Sequence, residues 1–423
     1  MSWLEVALLW GLFSSTFLVQ VHLPILAVAA NNLAVPVFAL LLAFLARTSI
    51  EPARHAYRNL LYITGLVYVW VWVSSLNGVL PAYSARFTVK YTIYLIVGFS
   101  FILLLHRRTS LRPAQRTVYF ILAALAAAGI LEYWWPFFPF VALRGQLKTY
   151  PRVSSLFVWP NQFGVLMAIG VTLGATLQHG GYIRPVYFRA PLVLFLIALA
   201  FSGSRNGWFV LGALLVVLAI VRVIAIGQLA LISAAFAFIL LIFPVSMARL
   251  GLAKSPGFPL LGVLEENGSH DVSRMTSPAE TLVPRLQLWR GALGEIRQHP
   301  LTGIGLEAFS DTVGLPLTRY RGFNTHNLFL NVAAEQGLIG LALFGLWLWV
   351  LFRSGDPHDW TTAVPLLGIG LGQIFDCFIY DYAFMTFSFF FIASYASASR
   401  DRRPPGAPRS PSRPWARDLH DDR

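Results

Sequence analysis

Long apolar runs, separated by short polar interruptions that carry arginines, fill most of the chain up to about residue 398. A helix needs about 20 apolar residues in a row to cross a bilayer. Met1–Ala46 is apolar enough for two spans with a break between Gln20 and Asn32, and no basic residue precedes it, which reads as a retained anchor. Further spans are expected near Asn59–Leu80 and Thr88–Leu105, with a fifth ending about Trp134 and a sixth near Gln178. Ala190–Ile220 reads as a hairpin of two spans broken at Ser202-Gly203-Ser204-Arg205-Asn206-Gly207. A ninth span follows Arg222 to about Met247, a tenth runs from His326 to Phe352, and two more cover about Trp360–Ile379 and Tyr382–Ala396. The pattern predicts an all-α polytopic membrane protein of about twelve transmembrane helices. It divides into residues 1–248 with spans one to nine, a large outer segment at 249–325, residues 326–398 with spans ten to twelve, and a Pro- and Arg-rich disordered tail at 399–423.

Composition agrees with that division. Hydrophobic residues make up 57% of the 423 and charged residues only 12%, a balance that excludes an ordinary soluble enzyme. The single cysteine, Cys377, excludes an internal disulfide and any cysteine-built metal site. Net charge is +13, yet lysine occurs only at positions 90, 148 and 254, so the positive charge is carried almost wholly by arginine. Arginine keeps its charge in any environment and grips phosphate through two parallel hydrogen bonds.

Alternating the spans from a cytoplasmic N-terminus puts the basic loops at 47–58, 106–116 and 179–189, and the tail, on the cytoplasmic side, as the positive-inside rule requires. Arg86, Lys90, Arg144, Lys148, Arg152, Arg205 and Arg285 then fall on the opposite face. Snorkelling to lipid phosphate accounts for any one of them. As a group, they point to an anionic ligand at that face.

Within the outer segment, Pro284–His299 reads as a helix with Pro284 early and Pro300 ending it, and Arg285 and Trp289 share a face. His326 is expected at the mouth of span ten, with Glu335 inside the apolar run where a carboxylate is costly. Nine residues on a regular helix separate the two by roughly 13.5 Å and half a turn, so they cannot form a dyad. Glu335 is therefore cast as structural, and Asp376 or Asp381 as the partner of His326 nearest by topology. His270 and His299 stand at no metal-ligand spacing from His326, and no Gly-rich phosphate loop or nucleophile elbow is present.

Four pieces of sequence, in order, resemble the O-antigen ligase and polymerase superfamily. They are Arg152-Val153-Ser154-Ser155-Leu156-Phe157-Val158-Trp159-Pro160-Asn161, then Ser202-Gly203-Ser204-Arg205, then Arg285-Leu286-Gln287-Leu288-Trp289 with His299-Pro300-Leu301-Thr302-Gly303-Ile304-Gly305, and lastly His326-Asn327-Leu328-Phe329-Leu330 with Glu335-Gln336-Gly337-Leu338-Ile339-Gly340. Leu156 departs from the glycine often found there in the family. The resemblance implies a metal-independent, cofactor-free, inverting glycosyltransferase of the GT-C type, working on the periplasmic face of a bacterial inner membrane. It implies undecaprenyl diphosphate-linked O-antigen as donor and lipid A–core oligosaccharide as acceptor, with membrane lipids around it and no nucleic acid partner. His326 is then the base, Arg152, Arg205, Arg285, Arg86 and Lys90 hold the diphosphate, and Asn161, Asn327 and Glu335 are structural.

An O-antigen ligase is the leading expectation and a polymerase of O-antigen repeats the alternative, with a protein O-oligosaccharyltransferase or a lipid transporter further behind. The orientation is testable by cysteine labelling in a Cys377→Ser background. His270→Cys should react with an impermeant reagent in the periplasm, and Arg112→Cys only after the inner membrane is permeabilised. Labelling of position 270 only after permeabilisation reverses the orientation.

Overall fold

Backbone amides and carbonyls that face hydrocarbon must be paired within the protein, and an apolar run does this most simply as a helix. The computed structural model describes residues 2–18, 34–108, 110–134, 152–155, 157, 159–243, 246, 278–318 and 323–398, and their regular structure is helical with no strand among them. In chain order these are α1 (Trp3–Leu18), α2 (Val35–Leu45), α3 (Ile50–Ala56), α4 (Arg58–Asn77), α5 (Pro81–His106), α6 (Arg112–Trp134), α7 (Pro160–His179), α8 (Pro185–Ser202), α9 (Arg205–Ile220), α10 (Ile226–Ile242), α11 (Pro278–Gln298), α12 (Leu315–Thr318), α13 (Leu328–Ser354), α14 (Trp360–Gly372) and α15 (Tyr382–Ala398). Arg144, Lys148, His270 and the tail from residue 399 lie outside the described residues.

The all-α, multi-span character expected from the sequence holds, but the count of about twelve spans does not. Among the described residues, five helices are long and apolar enough to cross a membrane: α4, α5, α6, α8 and α13. A sixth is reached if α2 and α3, bent by 95° at their junction, form one span. Length accounts for part of the difference. Helices such as α9 and α10, of 16 and 17 residues, reach only about 25 Å, short of a hydrocarbon layer of about 30 Å. Several apolar runs that look like spans in the sequence fold as these shorter helices.

Boundaries move as well. The polar stretch holding Arg86 and Lys90 is not a loop, because Pro81 starts α5 and both residues lie on its first turns. Pro284 sits within α11, which begins at Pro278. α14 stops at Gly372, so Asp376 lies in an irregular turn rather than at a helix end.

α7 is the hub of the bundle. Its side chains from Gln162 to Leu177 are all buried, and it packs against α6, α8, α9 and α14. A β-carbon on Gly164 would sit 2.5 Å from the β-carbon of Ser204. That close approach sets the α8–α9 turn, with Arg205, beside the start of α7.

A second feature positions the site. α13 is interrupted at Gly337 (φ +68°, ψ −178°), a conformation essentially confined to glycine. The carbonyls at the break turn outward and find partners elsewhere. Ile304 N–H donates to Ala334 O at 3.0 Å and Gly305 N–H to Glu335 O at 2.9 Å, while Leu338 N–H donates to Pro300 O at 2.8 Å. From α4, the Ser74 hydroxyl donates to Glu335 O at 2.8 Å and the Trp70 indole to Gln336 O at 2.9 Å. Segment 300–305 is thus sewn into the break, and Gly303 (φ +68°) has no room for a β-carbon against the Glu335 carbonyl.

Gly337→Ala should consequently destabilise the protein by ~3 kcal/mol, since the conformation is strained for alanine and its β-carbon would lie 2.1 Å from Leu301 O. Gly345→Ala, in the same helix with nothing within 4 Å, is the control and should be neutral. Apparent melting temperatures of the two purified variants check this.

Candidate functional site

His326 does not open α13. It stands in the turn before it with a left-handed backbone, φ +50°, which costs a residue bearing a β-carbon about 1–2 kcal/mol. Neighbouring asparagines hold it there. Asn324 Oδ1 accepts the His326 N–H at 2.9 Å, and Asn327 caps α13 by accepting the Leu330 N–H at 2.9 Å. From α11, the Trp289 indole donates to Thr325 O at 2.8 Å.

Across from this turn lies the irregular stretch 373–381, and the two are bolted together through backbone carbonyls. Leu328 N–H donates to Gln373 O at 3.0 Å, Asn327 Nδ2 to Ile374 O at 2.9 Å and Asn324 Nδ2 to Cys377 O at 3.1 Å. The pairing brings Asp376 Oδ1 to 2.9 Å from His326 Nδ1. Asp376 is 7% exposed and His326 23%, so the carboxyl is enclosed while the ring reaches solvent. Burial pushes the Asp376 carboxyl up, but the charge and hydrogen bond of His326, the Asn161 amide and the charge of Arg285 outweigh it and hold it below the ordinary range. An ionised Asp376 accepts only, so the hydrogen between the two groups sits on Nδ1.

The same carboxylate continues into the bundle. Asn161 Nδ2 donates to Asp376 Oδ2 at 2.8 Å, Arg152 Nη2 donates to Asn161 Oδ1 at 2.8 Å, and Arg152 Nε donates to Ser202 O at 2.8 Å. Arg205, the first residue of α9, is half-buried and lies within the electrostatic reach of Arg285 on α11. Arg152, Arg205, Arg285, Asn161, Asp376 and His326 therefore come together from five separate segments. Arg86 is exposed on α5. Lys90 stacks over the Phe87 ring at 4.2 Å, in the field of Glu307. Neither joins the His326 group, and Asp381 instead caps α15 through the Phe384 N–H at 2.6 Å.

Glu335 has partners of its own, apart from the His326–Asp376 pair. Its carboxylate accepts from the Tyr380 hydroxyl, which in turn accepts from Asn331 Nδ2 at 2.8 Å. This buried network ties the first turns of α13 to stretch 373–381 from behind the site. The sequence reading missed Tyr380, Asn331 and Glu307. Glu307 has a left-handed backbone, φ +59°, and burial, with Glu335 nearby, pushes its carboxyl up to about 8. Only the apolar company of Asn331 and Glu335 in one helix signalled that either needed a partner. Among the described residues, no three His, Cys, Asp or Glu side chains converge as metal ligands.

An apolar cavity of about 760 Å³ lies alongside, between α4, α5, α13, α14 and α15. Leu328, Gln373 and Ile379 line one end, next to the two turns that carry His326 and Asp376, and Phe352 and Trp360 line the other.

Residues 190–345 match a family model described as O-antigen ligase, a little over a third of the chain. The match supports an O-antigen-ligase-type, glycosyltransferase activity at the level of the family. Arg205, Arg285, His326 and the Gly337 break fall inside the matched stretch, whereas Arg152, Asn161 and Asp376 fall outside it. No curated protein matches the chain.

Tyr380→Phe removes the hydroxyl that donates to Glu335 and accepts from Asn331. Leaving a buried polar group without its partner costs about 1–3 kcal/mol. The apparent melting temperature of the purified variant should fall accordingly, and an unchanged value would mean that the Tyr380 network does not brace the site.

Proposed function

We propose that the protein is an O-antigen ligase, which transfers O-polysaccharide from undecaprenyl diphosphate to a hydroxyl of lipid A–core oligosaccharide on the periplasmic face of the inner membrane. The observation that carries this reading is the His326–Asp376 pair with Arg285 and Arg205 beside it, in a chain whose residues 190–345 match the O-antigen ligase family.

Each part then has a chemical task. Asp376 holds the ring hydrogen on Nδ1, and Nε2 takes the proton of the acceptor hydroxyl as its oxygen attacks the anomeric carbon. A C–O bond forms to the acceptor while the C–O bond to the diphosphate breaks on the opposite side, which inverts the centre. The bonding electrons leave with the diphosphate. That group departs as an anion and needs no general acid. Arg205 and Arg285 offer planar forks to its oxygens, and their hydrogen bonds strengthen as negative charge grows there. Arg86 and Lys90, on the first turns of α5, belong to the outer approach, with Lys90 also balancing Glu307.

The apolar cavity beside the site gives this reading its membrane component. A substrate whose sugar is carried on a hydrocarbon tail can leave that tail in an apolar channel while its polar head meets His326. The Glu335–Tyr380–Asn331 network is the rigid backing that keeps the histidine turn in place.

The experiment is a transfer assay with purified protein, defined lipid-linked donor and lipid A–core acceptor. His326→Gln keeps hydrogen bonding but cannot serve as base, and should lose at least ~100-fold in rate. Arg205→Lys and Arg285→Lys retain charge but lose the bidentate fork, and should be strongly impaired. Near-normal transfer by His326→Gln would remove the histidine from proton transfer. In a deletion strain, ligase function predicts lipid-linked polymer made but unattached. Single repeats attached to core would instead identify a polymerase.

A further inference from the structure

The residues behind Asp376 form a chain of hydrogen bonds whose direction is fixed at one end. A guanidinium has donors only. The Asn161 atom that faces Arg152 at 2.8 Å must therefore be its carbonyl oxygen, and its NH₂ is turned toward Asp376, also at 2.8 Å. Were the amide reversed, its oxygen would oppose the carboxylate and its NH₂ would oppose the guanidinium. Asp376 receives that NH₂ on Oδ2 and the Cys377 N–H on Oδ1 at 3.0 Å, so both oxygens are held as acceptors. The remaining hydrogen on this line is the one on His326 Nδ1.

We propose that Arg152 and Asn161 are positioning residues. They lock Asp376 as an oriented acceptor, which keeps the His326 hydrogen on Nδ1 and leaves Nε2 bare toward substrate. Arg152 acts through this chain rather than as a ligand of the donor diphosphate. Its role in catalysis rests on the transferase reading above; the effect on the histidine tautomer does not.

Placement supports this division of labour. Arg152 Nε is tied to Ser202 O at 2.8 Å, the last residue of α8. The turn after it is set by the Ser204 hydroxyl, which accepts from Gly207 N–H at 3.0 Å, and the next helix opens with Arg205. Arg152 thus spends Nε and Nη2 on protein oxygens. Arg285 makes no hydrogen bond or ion pair among the described residues, and Arg205 lies beside it. Asn161 is held at the first turn of α7, the most enclosed helix, so its amide has a rigid mount. The arrangement has the logic of an oriented histidine in which the carboxylate is itself oriented by a further shell.

The test uses the full chain, purified in detergent, with ¹⁵N in the imidazole rings. The His326 signals are assigned by their loss in His326→Gln. At about pH 8.5, where an ordinary imidazole is neutral, the wild-type ring should give the Nδ1–H pattern. Asn161→Ala and Arg152→Gln should shift it to a mixture containing substantial Nε2–H. In the transfer assay both should lower kcat on the order of 10- to 100-fold and leave the donor KM within about twofold. Arg152→Lys, which can still donate to Asn161 Oδ1, should restore the Nδ1–H pattern and most of the rate. Asn161→Ser, a smaller loss of donor, supplies the same readings if the alanine variant does not fold. An unchanged tautomer in folded Asn161 and Arg152 variants overturns the proposal. So does a raised donor KM in Arg152→Lys with kcat and tautomer unchanged, which would make Arg152 a diphosphate ligand. If the wild type transfers nothing but the tautomer shifts as stated, the transferase reading fails and the positioning role stands.

Discussion

The interaction on which the site depends is backbone pairing at the interruption of α13. A helix broken within an apolar environment exposes carbonyls that hydrocarbon cannot satisfy, each at a cost of several kcal/mol. Here the carbonyls of Ala334, Glu335 and Gln336 are taken up by Ile304, Gly305, Ser74 and Trp70, and Pro300 accepts the Leu338 amide in return. Val79 N–H, just past α4, completes the seam by donating to Ile304 O at 2.9 Å. Three stretches of the chain, 70–79, 300–305 and 334–338, are fixed to one another mostly through backbone groups, with the Ser74 hydroxyl and the Trp70 indole as the two side-chain donors. Beyond those two donors, side-chain identity matters where glycine is required for space, at Gly303 and Gly337.

That seam allows the chemistry to be assembled from distant sequence. With segment 300–305 locked to α13, α11 is held above it, so Trp289 can grip Thr325 and Arg285 can lie near Asp376. On the other side, the close approach of α7 to the α8–α9 turn carries Arg152, Asn161 and Arg205 to the same place. The His326 turn is strained, and the asparagines at 324 and 327 together with stretch 373–381 hold it. On the proposed reading, the strain fixes a base against a carboxylate before substrate arrives, which is the preorganisation a transferase without a bound general acid requires.

Much of the helical layout was legible because apolar runs and prolines mark helix bodies and starts. Their lengths were not, since hydropathy marks an apolar run without fixing where the helix within it begins and ends. Arg86 and Lys90 looked like loop residues because polarity outweighed the start signal of Pro81. Asp376 and Asp381 could not be separated in the sequence, as they stand five residues apart in the same turn and only the fold gives one to His326 and the other to the cap of α15. Glu335 was marked as needing a reason, but its partner Tyr380 carries no signal of its own. The contacts to Ser202, Gln373, Ile374 and Cys377 are to main-chain carbonyls, which leave no trace in residue identity. The Gly337 interruption was hidden because a glycine in an apolar run is also compatible with an unbroken helix.

Hydrogen–deuterium exchange of the purified protein, read on peptides covering residues 300–309, tests the seam directly. Ile304 and Gly305 belong to no helix, so unpaired amides there would exchange as fast as a surface loop. The account predicts strong protection of both, persisting as long as that of the α13 amides that follow Leu338. Rapid exchange at Ile304 and Gly305 while α13 stays protected would contradict it, and the placement of His326 opposite Asp376 would then lack its support.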